Sequence, residues 1–199
     1  LKKARDAAIE ELEGHRASVK TQAKEKEAEI FDAHMMFLED DSLVSLAESD
    51  IKAGKNAEAA WMNAIETIAQ QLEAIPDPTL SARAVDLRDV GQRVLGHLLG
   101  LQTRGINPDK PSIIVSRDLT PSDTVSLERA VTLAFVTAEG GPTSHTAILA
   151  NAFGLPAVVG VGEELLAIPA DAFLPVDGNT GEVIVNLAAQ TKADFTKRP

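Results

Sequence analysis

The run Ala138-Glu139-Gly140-Gly141-Pro142-Thr143-Ser144-His145-Thr146-Ala147-Ile148-Leu149-Ala150 joins a glycine pair, three hydroxyl residues around a histidine, and an apolar, helix-like segment. The glycines let backbone N–H groups approach a ligand closely. The spacing puts His145 in the first turn of a helix, at its electropositive end. That position disfavours an imidazolium and favours negative charge, so the chemistry implied is a neutral histidine accepting a phosphoryl group. The local alternative is a strand-to-helix turn whose serine or threonine merely caps the helix. A nucleotide-binding glycine loop is excluded, because no lysine follows at the required spacing.

The remaining histidines read as structural. His15 falls on the polar side of the first helix and is expected to be solvated, and His34, beside Met35 and Met36, to make a surface contact. His97 falls in the last turn of a helix, where a cation is favoured. No pair has a metal-ligand spacing, so no metal is expected on this chain. Met36, Phe37 and Leu43 alternate with acidic residues, a spacing that favours packing in a bundle core over an exposed groove for a partner. Ser81 to Asp89 carries alternating charges, as a solvated helix face does, although an arginine there can grip phosphate.

Two kinds of element must position these residues. Leu1, Ala8, Leu12, Val19, Ala23 and Ile30 form one apolar stripe on a long helix that continues through Leu38. Glu39-Asp40-Asp41-Ser42 marks a break and a new N-cap, with a short helix from Ser42 to Ala53. Asn56 caps a further helix that ends at Pro76-Asp77-Pro78, and another shows Leu80, Ala84, Leu87, Val94 and Leu98 on one face and finishes at Gly100. From about Asn107 the pattern changes to strands. Ile113-Ile114-Val115, Val131 to Thr137 and Ala157-Val158-Val159 alternate with short helices, and Asp177-Gly178-Asn179-Thr180-Gly181 turns a hairpin. The fold class is therefore α/β plus all-α, with a helical subdomain at 1–104, an α/β subdomain at 105–190, and a tail or linker at 191–199.

The net charge of −11 argues against a nucleic-acid partner. Absence of cysteine excludes disulfides and thiolate metal sites and fits a reducing, cytoplasmic setting. No apolar run reaches the ~18 residues of a membrane span. The chain opens in mid-helix pattern without an initiator methionine, and is expected to be a piece of something longer.

Taken together, these segments resemble the N-terminal part of enzyme I of the bacterial phosphoenolpyruvate-dependent sugar phosphotransferase system. The resemblance runs through Gly140 to Ala150, Gly154-Leu155-Pro156-Ala157-Val158-Val159-Gly160, Val176 to Val183, and Asp118-Leu119-Thr120-Pro121-Ser122. It continues through Phe31 to Asp40 and Ala84-Val85-Asp86-Leu87-Arg88-Asp89-Val90-Gly91, in the family's order. It implies that the helical bundle is inserted in a small swivelling phosphohistidine α/β subdomain whose opening strand is missing here. It makes His145 the phosphorylated residue, which takes the group from phosphoenolpyruvate and hands it to a histidine of the phosphocarrier HPr. Thr124 matches the threonine that hydrogen-bonds that histidine, and Thr143, Ser144 and Thr146 would stabilise the added charge.

Met36, Phe37, Leu43, Leu72 and Leu80 match apolar HPr-contact positions, which reverses the core reading of the methionine cluster. Arg83 matches an arginine near the transferring phosphoryl group. Pro142 stands where many relatives have arginine. Asp41 keeps an acidic position of the family, while Lys26 and Ser42 stand where some relatives have acidic residues. The resemblance implies a monomeric fragment of a dimeric whole, with no cofactor of its own. Mg2+ would come only with a separate phosphoenolpyruvate-binding domain. Two other readings are the swivelling domain of pyruvate phosphate dikinase or phosphoenolpyruvate synthase, which lacks the helices of residues 1–104, and a non-catalytic HPr-binding regulatory module.

Overall fold

The computed structural model describes residues 1–22, 25–101, 106, 108–141, 144–170 and 172–185, and only the backbone of Gln22, Lys26 and His145. Ala23, Asn107, Pro142, Thr143 and the tail at 191–199 lie outside the described residues, as does the side chain of Lys26. By backbone packing the chain divides into two compact units, one of residues 1–21 and 28–104, the other of 22–27 and 105–199.

The first unit is helical: α1 (Lys2–Gln22), α2 (Glu25–Glu39), α3 (Asp41–Lys52), α4 (Ala57–Glu73) and α5 (Pro78–Leu98). Three of these start where the sequence supplies an oxygen for orphan N–H groups. Asp40 accepts from Ser42 and Leu43, Asn56 from Ala59, and Asp77 from Thr79 and Leu80. Ala8, Leu12 and Val19 of the first stripe are fully buried, as are Trp61 and Ile65 of α4 and Leu87, Val90 and Val94 of α5. Leu80 is 46% exposed, so the buried stripe of α5 begins only at Ala84.

Charged contacts fasten the helices to one another. Arg93 and His97 of α5 both reach Glu11 of α1, His97 at 3.1 Å. Burial opposes ionisation of Glu11, but Arg93 and His97 outweigh it and hold the carboxyl below its usual range. Arg88 bridges Glu66 and Glu73 of α4. The alternating run on α5 is therefore not simply a solvated face, because the sequence pattern says nothing of the carboxylates that α4 brings to it.

Two histidines also depart from expectation. His15 is half-buried with its ring edge-on to Phe31, at 5.8 Å between centroids. His34 of α2 has no exposed surface at all, with Phe31 edge-on to its ring and Asp86 of α5 3.7 Å from its Nε2. In both cases a polar ring was placed by its own helix's polarity, whereas a neighbouring helix covers it.

The second unit holds a parallel sheet in the order β1 (Ser112–Ser116), β2 (Thr132–Thr137), β3 (Ala157–Val158). The crossovers carry α6 (Pro121–Ser126) and α7 (His145–Phe153). Alternation along β2 builds a core on each face of the sheet. Phe135 packs with Leu119, Leu127 and Ala150 beside the helices. Val136 and Ala138 pack on the other side with Val158, Leu165 and Leu174. That second layer includes a 3-10 helix (Glu163–Ala167), which the sequence pattern did not reveal, and the antiparallel hairpin of β4 (Val176–Asp177) and β5 (Glu182–Val183).

Candidate functional site

The carboxyl ends of β1 and β2 stand side by side, Ser116 opposite Thr137. Ligand sites of parallel α/β sheets form at such strand ends. The loop leaving β1 is braced by Ser116, whose hydroxyl donates to the Asp118 carbonyl at 2.7 Å, and by Asp118, whose carboxylate accepts from the Leu119 N–H at 2.8 Å. It then enters α6 through a capping box in which Thr120 and Asp123 satisfy each other's backbone. The loop leaving β2 is held by Thr137, whose hydroxyl donates to the Glu139 carbonyl at 2.7 Å.

That second loop carries the glycine pair to α7. Gly140 has φ +92°, and a Cβ there would sit 3.7 Å from Asp118 Oδ1 and 3.9 Å from both Ser144 Oγ and Thr137 Oγ1. Gly140 is thus the open floor of a small polar ring contributed by both strand ends. Gly141 accepts from the Ser144 N–H at 2.9 Å, and Ser144 caps α7 by accepting from the Ala147 N–H at 3.3 Å. The helix begins at His145 itself. At this position a helix leaves N–H groups without intrahelical partners and carries partial positive charge, which suits an anionic group on the first residue.

Thr124 and Thr146 are both buried. Thr124 donates its hydroxyl to the Thr120 carbonyl of its own helix at 3.0 Å. The bond expected from it to His145 has its other end outside the described side chains. The Thr146 hydroxyl donates to the Leu119 carbonyl, so it ties α7 to the loop after β1. The reason is helical geometry: the residue after His145 is turned about 100° around the axis and meets the sheet. Replacing Thr146 by valine leaves the Leu119 carbonyl without this donor and costs about 1–3 kcal/mol, read as a lower urea midpoint; Thr146→Ser keeps the tether. A valine variant as stable as the parent chain would show the tether to be dispensable.

Asp118 and Thr137 were not singled out by the sequence pattern, though acid and hydroxyl residues closing an apolar strand run are a usable signal. Arg117, also passed over, pairs with Glu139 at 3.1 Å and with Glu163, linking the two loops to the 3-10 helix. Its hydrogen bonds to Glu139 and then Glu163 raise its pKa further, so it is a permanent cation.

On the helical unit, Met36 is 70% exposed and Leu80 is 46% exposed, while Phe37 and Leu72 are half-buried. Arg83 is partly exposed and paired with Asp86 at 3.2 Å. Leu43 is 2% exposed and belongs to the core of the helical unit, where its spacing places it. It lies in the first turn of α3, two residues after Asp41 and on the face turned inward.

The fold and the site have their counterparts in a known class: residues 1–83 match the N-terminal domain of phosphoenolpyruvate-utilising enzymes and residues 108–181 their mobile domain. A solution structure of enzyme I superposes with a TM-score of 0.73 at 38% identity, covering 98% of this chain and 79% of that one. The chain belongs to the enzyme I family of phosphotransferases. An N-terminal domain of nitrogen enzyme I superposes with a TM-score of 0.66 at 28% identity, covering 98% of this chain and 80% of that one. The phosphoenolpyruvate-protein phosphotransferase of Enterococcus faecalis is 40% identical over 94% of this chain and 33% of its own length. The multiphosphoryl transfer protein of Rhodobacter capsulatus is 45% identical over 84% of this chain and 20% of its own length. The chain therefore spans a third or less of these curated relatives. Among the described residues, no helix is long and apolar enough to cross a membrane.

Proposed function

We propose that this chain is a cytoplasmic phosphotransfer module in which His145 carries a phosphoryl group and exchanges it with a histidine of HPr during sugar uptake. The observation that carries this reading is the start of α7 at His145, capped by Ser144 and fed by the Gly140-Gly141 turn at the strand ends. A lone-pair nitrogen of neutral His145 forms the new N–P bond as the donor's N–P bond breaks, and the departing imidazole keeps the electron pair. A loose phosphoryl-transfer transition state needs positioning more than covalent help. The helix end and the polar ring around Gly140 supply that, with Thr124 orienting the histidine. Exposed Met36 and Leu80, with Phe37, Leu72 and Arg83, offer HPr an apolar contact with a cation beside it.

Loading from phosphoenolpyruvate, with its Mg2+, and dimerisation are assigned to domains outside this sequence, and the chain alone is a monomer. The 1–83 match favours this reading over the swivelling domain of a dikinase. Incubation with phosphorylated HPr, followed by intact-mass and peptide mapping, is expected to place one phosphoryl group on His145. Binding of HPr without any label would favour the regulatory reading, and a label on another residue would remove His145 from its role.

A further inference from the structure

Three side chains of α2 and α5 form a line that packing alone does not explain. His34 has no exposed surface, and neither ring nitrogen has a hydrogen-bond partner among the described residues. Its Nε2 lies 3.7 Å from Asp86 Oδ1, beyond the ~3.2 Å of a good hydrogen bond but within ion-pair reach. Asp86 is itself 9% exposed, and its second oxygen, Oδ2, accepts from Arg83 Nη1 at 3.2 Å. Arg83 in turn keeps 37% of its side chain in solvent. A buried carboxylate thus stands between a sealed imidazole and a guanidinium that reaches the surface.

As mere core, His34 is a poor choice. Phe31 covers it edge-on at 5.9 Å between centroids, and an apolar side chain would fill the same space without desolvating two polar nitrogens. What the imidazole adds is a polar ring nitrogen 3.7 Å from one oxygen of Asp86, packed against the carboxylate so that it limits how that carboxylate can rotate. A carboxylate held at Oδ1 keeps Oδ2 fixed, and Oδ2 is what Arg83 leans on. The Arg83–Asp86 contact uses Nη1, leaving most of the guanidinium's N–H groups for an incoming anion.

We infer that His34 and Asp86 are positioning residues for Arg83, holding its guanidinium in the orientation that meets the phosphoryl group of a phosphorylated partner. The inference rests on the proposed function. Phe37 follows His34 by three residues on α2, and Leu80 precedes Arg83 by three on α5, so the line ends among the proposed contact residues.

The test compares His34→Leu, which removes the polar nitrogen beside Asp86, with His34→Gln, whose amide nitrogen reaches toward the position of Nε2. Steady-state phosphoryl exchange between the full chain and phosphorylated HPr is expected to lose about tenfold in kcat in His34→Leu, with KM within about twofold, the signature of lost orientation rather than lost docking. His34→Gln should recover most of that loss. In an Arg83→Ala background, His34→Leu should add nothing, because both changes remove one device. Equal losses in the leucine and glutamine variants, or effects of His34 and Arg83 that multiply, would overturn the inference. The nitrogen-15 signal of the Arg83 side chain gives a readout independent of transfer. It should be sharp in the parent chain and in His34→Gln, and broadened by averaging in His34→Leu. An unchanged signal in His34→Leu would equally overturn the inference. If the parent chain takes up no phosphoryl group while the Arg83 signal still depends on His34, the proposed function fails and the positioning relation stands.

Discussion

Gly160→Ala is expected to lower the stability of the α/β unit by about 2–5 kcal/mol and to slow phosphoryl exchange by about tenfold or more even where the variant is folded. Gly160 has φ +71°, in the left-handed region that costs an L-residue about 1–2 kcal/mol. A Cβ there would also lie 2.8 Å from the carbonyl oxygen of Gly140. That oxygen is backbone and cannot swing away as a side chain would, so the contact adds about 1–3 kcal/mol or moves the loop.

The loop has little room to move without consequence. Gly160, Val161 and Gly162 donate in succession to Glu139 at 3.1 Å, Thr137 at 3.1 Å and Ala138 at 3.0 Å, so the segment after β3 is laced to the one after β2. Pushing Gly140 away shifts Gly141, which receives the Ser144 N–H, and with it the capped start of α7. Gly162→Ala is the control. Its φ is +106° but nothing lies within 4 Å of the added Cβ, so it carries backbone strain without the collision. Urea unfolding and exchange with phosphorylated HPr separate the two. If Gly160→Ala exchanges as fast as Gly162→Ala, the Gly140 loop does not position the reaction.

The difference between these two glycines is not legible in the sequence, whereas the site they serve largely is. Ser144 and His145 could be placed at a helix start because a hydroxyl cap followed by an apolar run is a local signal, and capping is a local interaction. The same holds for Asn56, and for the break at Asp40. Where a residue's environment comes from a distant part of the chain, the local pattern misleads. Leu43 is an instructive contrast, because its spacing favours the core where it is found and only the family resemblance placed it at the surface. His34 sits beside methionines on α2, and its meaning depends on Asp86, more than fifty residues later. Thr146 shares a hydroxyl with its neighbours but faces Leu119, which precedes it by α6 and β2. Helical spacing defines which residues share a face, and it does not say what covers that face.

The same distinction governs the helical unit, where Trp61→Ala is expected to cost about 3–5 kcal/mol. Trp61 has no exposed surface, and its Nε1–H donates to the Gly91 carbonyl at 2.9 Å. α4 and α5 approach so closely there that a Cβ on Gly91 would come within 2.8 Å of the Ile65 side chain. This close crossing leaves the backbone no slack with which to collapse onto the space vacated by an indole, so most of the volume remains as a cavity.

Domains of this kind hold a net stability of about 5–15 kcal/mol, so a loss of this size removes a large share. Trp61→Phe keeps much of the packing and drops the hydrogen bond, and should cost less than the alanine change. Amide hydrogen exchange followed by mass spectrometry reads the effect locally. In Trp61→Ala, peptides of α4 and α5 should lose protection first, and peptides of β1, β2 and α7 should keep theirs. Exchange with phosphorylated HPr should then fail through lost docking, with a raised KM. A loss of protection that spreads equally through the sheet would mean that Trp61 stabilises the whole chain as one cooperative unit. A stability change under about 1 kcal/mol would mean that the helices do close over the gap.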